Sequence, residues 1–159
     1  MKTRSITTKW LLAVAFVLFG MAALNSCKKK STTDNRPYTL KGDAAGSQVV
    51  PPVTGNGTGT FIGTYDPSTH TMTYTTNWTG LSGGATSGGF YTGASGSAGT
   101  AVGDPWTLPA DSTGAGTYSG TMTLTDEQAS QLTSGNWYYS YGTTANPNGE
   151  IRGQITATR

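Results

Sequence analysis

The chain has 159 residues, enough for one modest domain plus a leader. Only 11% of them are charged, 10% are aromatic and 23 are glycine, with Thr and Ser abundant. That composition favours short strands and tight turns and is not that of a disordered chain. The formal charge of +2 comes from the N-terminus. From Tyr38 onward three basic residues (Lys41, Arg152, Arg159) meet seven acids (Asp43, Asp66, Asp104, Asp111, Asp126, Glu127, Glu150), a net −4. A domain without a basic stripe is not a nucleic-acid module.

Lys2, Arg4 and Lys9 precede an apolar run, WLLAVAFVLFGMAAL, over residues 10–24. The run is short of the roughly 20 residues that span a bilayer and fits a secretory leader. LNSC follows, and Cys27 is the only cysteine. The segment resembles a bacterial lipoprotein signal, with Leu24 three residues before Cys27 and the small Ser26 just before it. The resemblance implies cleavage after residue 26 and acylation of Cys27, and several acyl chains make a firm anchor. An ordinary leader or an uncleaved anchor is the alternative. Residues 27–37 then read as a lipid-anchored polar tether.

From Tyr38 the pattern alternates with period two. YTLKG is a short strand, and AGSQVVPPVTGNG is a loop whose prolines forbid ladder pairing. TGTFIGTY and TMTYTTNW, joined by the turn DPSTH, form a hairpin, with Met72, Tyr74, Thr76 and Trp78 on one face. Phe90 and Tyr91 mark a short strand in a glycine-rich stretch, and TYSGTMTL turns Tyr118, Met122 and Leu124 inward. Thr125 caps a short helix with Gln128 as its capping-box partner, leaving Ala129 and Leu132 for the core. NWYYSYGT places Trp137, Tyr139 and Tyr141 on one face, and the last strand alternates Ile151 and Ile155 against Glu150, Arg152 and Gln154. The expectation is an all-β, antiparallel Ig-like sandwich or barrel of about 6–8 short strands with one short helix.

Catalytic chemistry finds few parts. His70 is the single histidine and sits in a turn, so a zinc site lacks ligands. Asp66, Asp104 and Asp111 could offer oxygens to calcium but lack a recognisable loop spacing and read as turn residues. Asp126 and Glu127 suit the first turn of a helix, so they need not be a glycosidase pair. SGGATSGG is followed by neither a lysine nor a helix, and phosphate cradling is unsupported. No catalytic residue, metal or cofactor is assigned. The ligand-binding candidates are Trp106, in the loop GDPWTLP, Tyr138, expected exposed on the face opposite Trp137, and Tyr91. Glu150 and Arg152 lie two apart on one strand face after the turn 146–149. They are expected to be scaffold, contributing at most about 1 kcal/mol if exposed and serving register or specificity more than stability if buried.

Four blocks stand in order: VVPPV (49–53), GTGTFIGTYDPSTHTMTYTTNWTGLSG (57–83), LTDEQASQLTSGNWYY (124–139) and NPNGEIRGQI (146–155). Together they resemble the CHRD domain, named after repeats in the secreted antagonist chordin. The resemblance covers about Tyr38 to Ala157, essentially the whole domain at 38–159. It implies an immunoglobulin-like β fold with no established catalytic activity, and it makes Gly149, Glu150, Arg152 and Gly153 family-motif scaffold. Many bacterial members carry a HIHG-type segment, falling here around GGFYTG (88–93), and a further histidine where this chain has Gly142. If those histidines bind metal in relatives, the site is lost here.

The resulting expectation is a non-catalytic lipoprotein of the cell envelope, with residues 1–26 as signal peptide. It would be anchored through Cys27 to the outer membrane, on its periplasmic or surface face, and act as a binding or adhesion module for an extracytoplasmic protein or glycan. A purely structural envelope protein and a carbohydrate-active enzyme are the alternatives.

Overall fold

The computed structural model describes residues 34–108 and 113–159, and over them the period-two pattern becomes eight strands and one α-helix. In chain order these are β1 (Tyr38–Ala45), a 3-10 turn (Gly46–Gln48), β2 (Thr58–Asp66), β3 (Thr71–Thr79), β4 (Ala85–Thr92), β5 (Thr100–Val102), β6 (Gly116–Thr123), α1 (Asp126–Thr133), β7 (Trp137–Thr143) and β8 (Ile151–Thr158). Local chemistry sets the ends. Asp66 Oδ1 accepts from the Ser68 amide at 2.8 Å, and His70 takes a positive φ of 55° to complete the β2–β3 turn. Thr125 caps α1 in a full capping box with Gln128, and Ala129 and Leu132 are buried. The glycine-rich stretch is more regular than its composition suggests: β4 runs eight residues and β5 pairs with its end.

All eight strands belong to one antiparallel sheet, in the order β5-β4-β7-β8-β1-β2-β3-β6, within the expected all-β sandwich or barrel class. The sheet curls into a half-barrel, as strand twist allows. Trp78 on β3 reaches Tyr141 on β7 with ring centroids 4.4 Å apart, and Tyr74 on β3 meets Phe90 on β4 at 4.8 Å, although several strands separate each pair along the sheet. The concave face therefore packs against itself and makes the core that a sandwich would make between two sheets. Leu40, Phe61, Met72, Trp137, Tyr139, Tyr141, Ile151 and Ile155 are fully buried there. Tyr139 fits because β8 has Gly153 beside it: a Cβ at that position would lie 2.5 Å from the ring.

A half-barrel leaves an open seam between its two edge strands, β5 and β6. The inward residues of β6, Tyr118 and Met122, are only half-buried, whereas those of the adjacent β3 are buried. The convex face carries a row of exposed threonines in register across five strands: Thr158, Thr39, Thr64, Thr73 and Thr121. Among the described residues no helix is long and apolar enough to cross a membrane. The apolar run at 10–24 and Cys27 lie outside the described residues.

Candidate functional site

The seam is where the aromatic side chains approach solvent. The loop after β5 turns at Gly103, whose φ is +70°, and carries Trp106 back between the two halves of the sheet. The Trp106 amide donates to Gly88 O at 2.9 Å. Its indole packs perpendicular to Phe90 at 5.0 Å and near-parallel to Tyr118 at 5.0 Å (19°) and Tyr74 at 5.8 Å (27°). Gly88 is required by this insertion, since a Cβ there would lie 2.8 Å from the indole. Trp106 is thus only 8% exposed although it lies in a loop: the area of the ring outweighs the polarity of its surroundings. Beside it a cleft of about 280 Å³ is lined by Tyr74, Trp106, Tyr118, Met122, Val102 and Asp104, among others. Burial, with the neighbouring Tyr118 phenol, pushes the Tyr74 hydroxyl up to about 12, so it stays neutral. Asp104 is exposed at the cleft and belongs to none of the ion pairs among the described residues.

Tyr138 does point away from the core, but it is not exposed. At 7% accessibility it lies in a small second layer on the convex side. Its ring stacks on Tyr91 at 5.2 Å and carries the Arg152 guanidinium 3.5 Å above its centroid. The loop at 93–99 closes over this layer. Arg152 donates to Ser97 O (2.6 Å) and Ala94 O (2.8 Å), Gln154 Nε2 donates to Gly93 O (2.8 Å) and Gly135 O (2.7 Å), and the Gly99 amide donates to the Tyr138 hydroxyl (3.1 Å). Tyr91 is half-buried at the margin. Trp106, Tyr138 and Tyr91 therefore do not converge: the first belongs to the seam, the other two to the clasp under the 93–99 loop.

Glu150 and Arg152 are both 3% exposed and do not form an ion pair with each other; each is tied separately into the fold. The Glu150 carboxylate accepts from the Ser82 amide and hydroxyl (2.6 Å each), the Thr143 hydroxyl (2.6 Å) and Asn146 Nδ2 (3.3 Å). Burial raises its pKa, but these donors outweigh burial and hold it below the ordinary value. Gly149, with φ of 125°, turns the chain into this network, and the Glu150 amide donates to Tyr141 O at 2.7 Å. In the sheet Ser87 opposes Gly142 and Gly88 opposes Tyr141, so the segment at 88–93 begins beside Gly142. A side chain at 142 would meet Ser87 Oγ at 2.5 Å. A second groove, about 270 Å³, separates Val49, Val50 and Pro51 from the turn at 145–149.

The sequence named Trp106 but missed Tyr74, Tyr118 and Met122 as its companions at the cleft. Alternation marks them as inward-facing and carries no sign that β6 is an edge. Ser82, the double donor to Glu150, was hidden in a glycine-rich turn.

Fold and site together define a small antiparallel β module with a single curled sheet, pinned by a buried Glu and a buried Arg from its last hairpin. The family model of the CHRD domain matches residues 40–155, and the chain belongs to the CHRD-domain family. No curated protein and no solved structure matches the chain.

Proposed function

We propose that the chain is a non-enzymatic binding module, held at the cell envelope by lipid on Cys27, that takes an extracytoplasmic protein or glycan at its seam. The observation that carries the reading is the cleft between the 103–106 loop and β6, where the half-buried Tyr118 and Met122 and the margin of Trp106 line a concave surface. Concave sites of mixed aromatic and polar lining are where ligands bind. The family membership supports the non-enzymatic part, and the lipobox-like LNSC supports the anchor.

A glycan array and an envelope pull-down with the wild-type chain and Tyr118→Ala test the reading. Tyr118 is half-buried on an edge strand, so its loss should spare the fold while weakening a bound ligand about tenfold, as truncation of an interface aromatic does. Equal capture by both proteins would overturn the site. Anchoring is read from radioactive palmitate: Cys27→Ala should abolish labelling, and undiminished labelling would refute it. The burial of Tyr138 and of most of Trp106 favours the second reading, a structural envelope protein in which these rings only stabilise the sheet.

A further inference from the structure

We propose that the seam cleft is a site for an organic cation, held by the Tyr74, Trp106 and Tyr118 rings and by the carboxylate of Asp104; this rests on the reading that the cleft binds a ligand. The three rings gather within 6.3 Å of one another, Trp106 near-parallel to Tyr74 and Tyr118, and the half-buried Tyr118 brings to the cleft the electron-rich π system that attracts ammonium and guanidinium groups. Elsewhere the fold meets this demand itself: Arg152 lies 3.5 Å over Tyr138 and Arg159 lies 4.1 Å over Tyr38. Among the described residues no basic side chain lines the seam cleft, and the one acid lining it, Asp104, has no ion-pair partner. The site therefore has negative charge and π density but, among the described residues, no resident cation. Its volume of about 280 Å³ is at the lower limit of ligand pockets, which run from about 300 Å³ upward. That size suits one compact head group or one side chain. The sulfur and methyl of Met122 add a soft apolar wall suited to N-methyl or methylene groups.

The cation could come from a quaternary ammonium compound or from a Lys or Arg side chain of a partner protein. The test uses the full-length chain with its methionine methyls isotopically labelled, so that Met122 reports the cleft by NMR. The titrants are choline, the blocked amides N-acetyl-lysine methylamide and N-acetyl-arginine methylamide, the neutral choline isostere 3,3-dimethylbutan-1-ol, and methyl glucoside. The expected result is a saturable shift of the Met122 methyl with choline or a blocked basic residue, and about tenfold weaker response to the neutral isostere. Tyr118→Ala and Asp104→Asn should each weaken that response while the domain remains folded at the temperature of the titration, as its unfolding curve shows. Choline binding without the amides points to a free or lipid head group, and the reverse to a protein side chain. Equal binding of choline and its neutral isostere would overturn the proposal, as would binding of methyl glucoside alone. If no cation binds while Tyr118→Ala still abolishes envelope capture, the cation proposal fails and the binding-module reading stands. If capture is also unaffected, both fail.

Discussion

Arg152 holds the second layer together with one planar side chain: one face rests on Tyr138 while its nitrogens fork to two loop carbonyls. Lysine can supply the charge but not the fork or the stacking plane. Arg152→Lys and Arg152→Ala should therefore both destabilise the domain, by about 2–3 kcal/mol for alanine, the scale of charged hydrogen bonds. Urea unfolding measures this, and faster amide exchange at 94–99 would show the loop released. Glu150 makes a different kind of contribution, visible in pH. Its folded pKa is lowered, so its stabilisation is complete above the unfolded value of about 4.5 and is lost as pH falls through the folded value. The wild-type chain should lose more stability between pH 6 and pH 3 than Glu150→Gln does, compared by urea midpoints at each pH.

At the scale of elements, α1 begins with a capping box, and Thr125→Ala should cost about 1 kcal/mol in thermal unfolding followed by circular dichroism. That cap was legible in the sequence because its parts lie three residues apart. So were the β2–β3 hairpin, the Trp137/Tyr139/Tyr141 face and the turn at 146–149, all set by nearest-neighbour chemistry and alternation. The curl of the sheet was not legible, because contacts such as Trp78 to Tyr141 join residues far apart in the chain. Tyr138 shows the limit most clearly. Alternation placed it on the outer face correctly, but the outer face is itself covered by a glycine-rich loop that Arg152 and Gln154 tie down. The same GEIRGQ stretch that marks the family supplies those ties, so the motif conveyed the importance of the residues without their partners.

For the whole molecule, the seam determines how the half-barrel stays closed. Trp106 bridges Phe90 and Tyr141 on one side and Tyr74 and Tyr118 on the other. Trp106→Ala should lower stability by about 3–5 kcal/mol, the cost of truncating a buried tryptophan, whereas Tyr118→Ala should cost less because its ring is already half in water. Calorimetry of the two variants separates the plug from the cleft wall. The opposite side of the sheet has its own consequence. The threonine row on β8, β1, β2, β3 and β6 presents hydroxyls at the strand spacing of about 4.8 Å. Each hydroxyl can hold water without a counterion, so the hydration of this face is independent of titration and little affected by ionic strength. A sparsely charged domain with such a coat should remain dissolved near its isoelectric point, where a protein kept in solution by charge repulsion would precipitate.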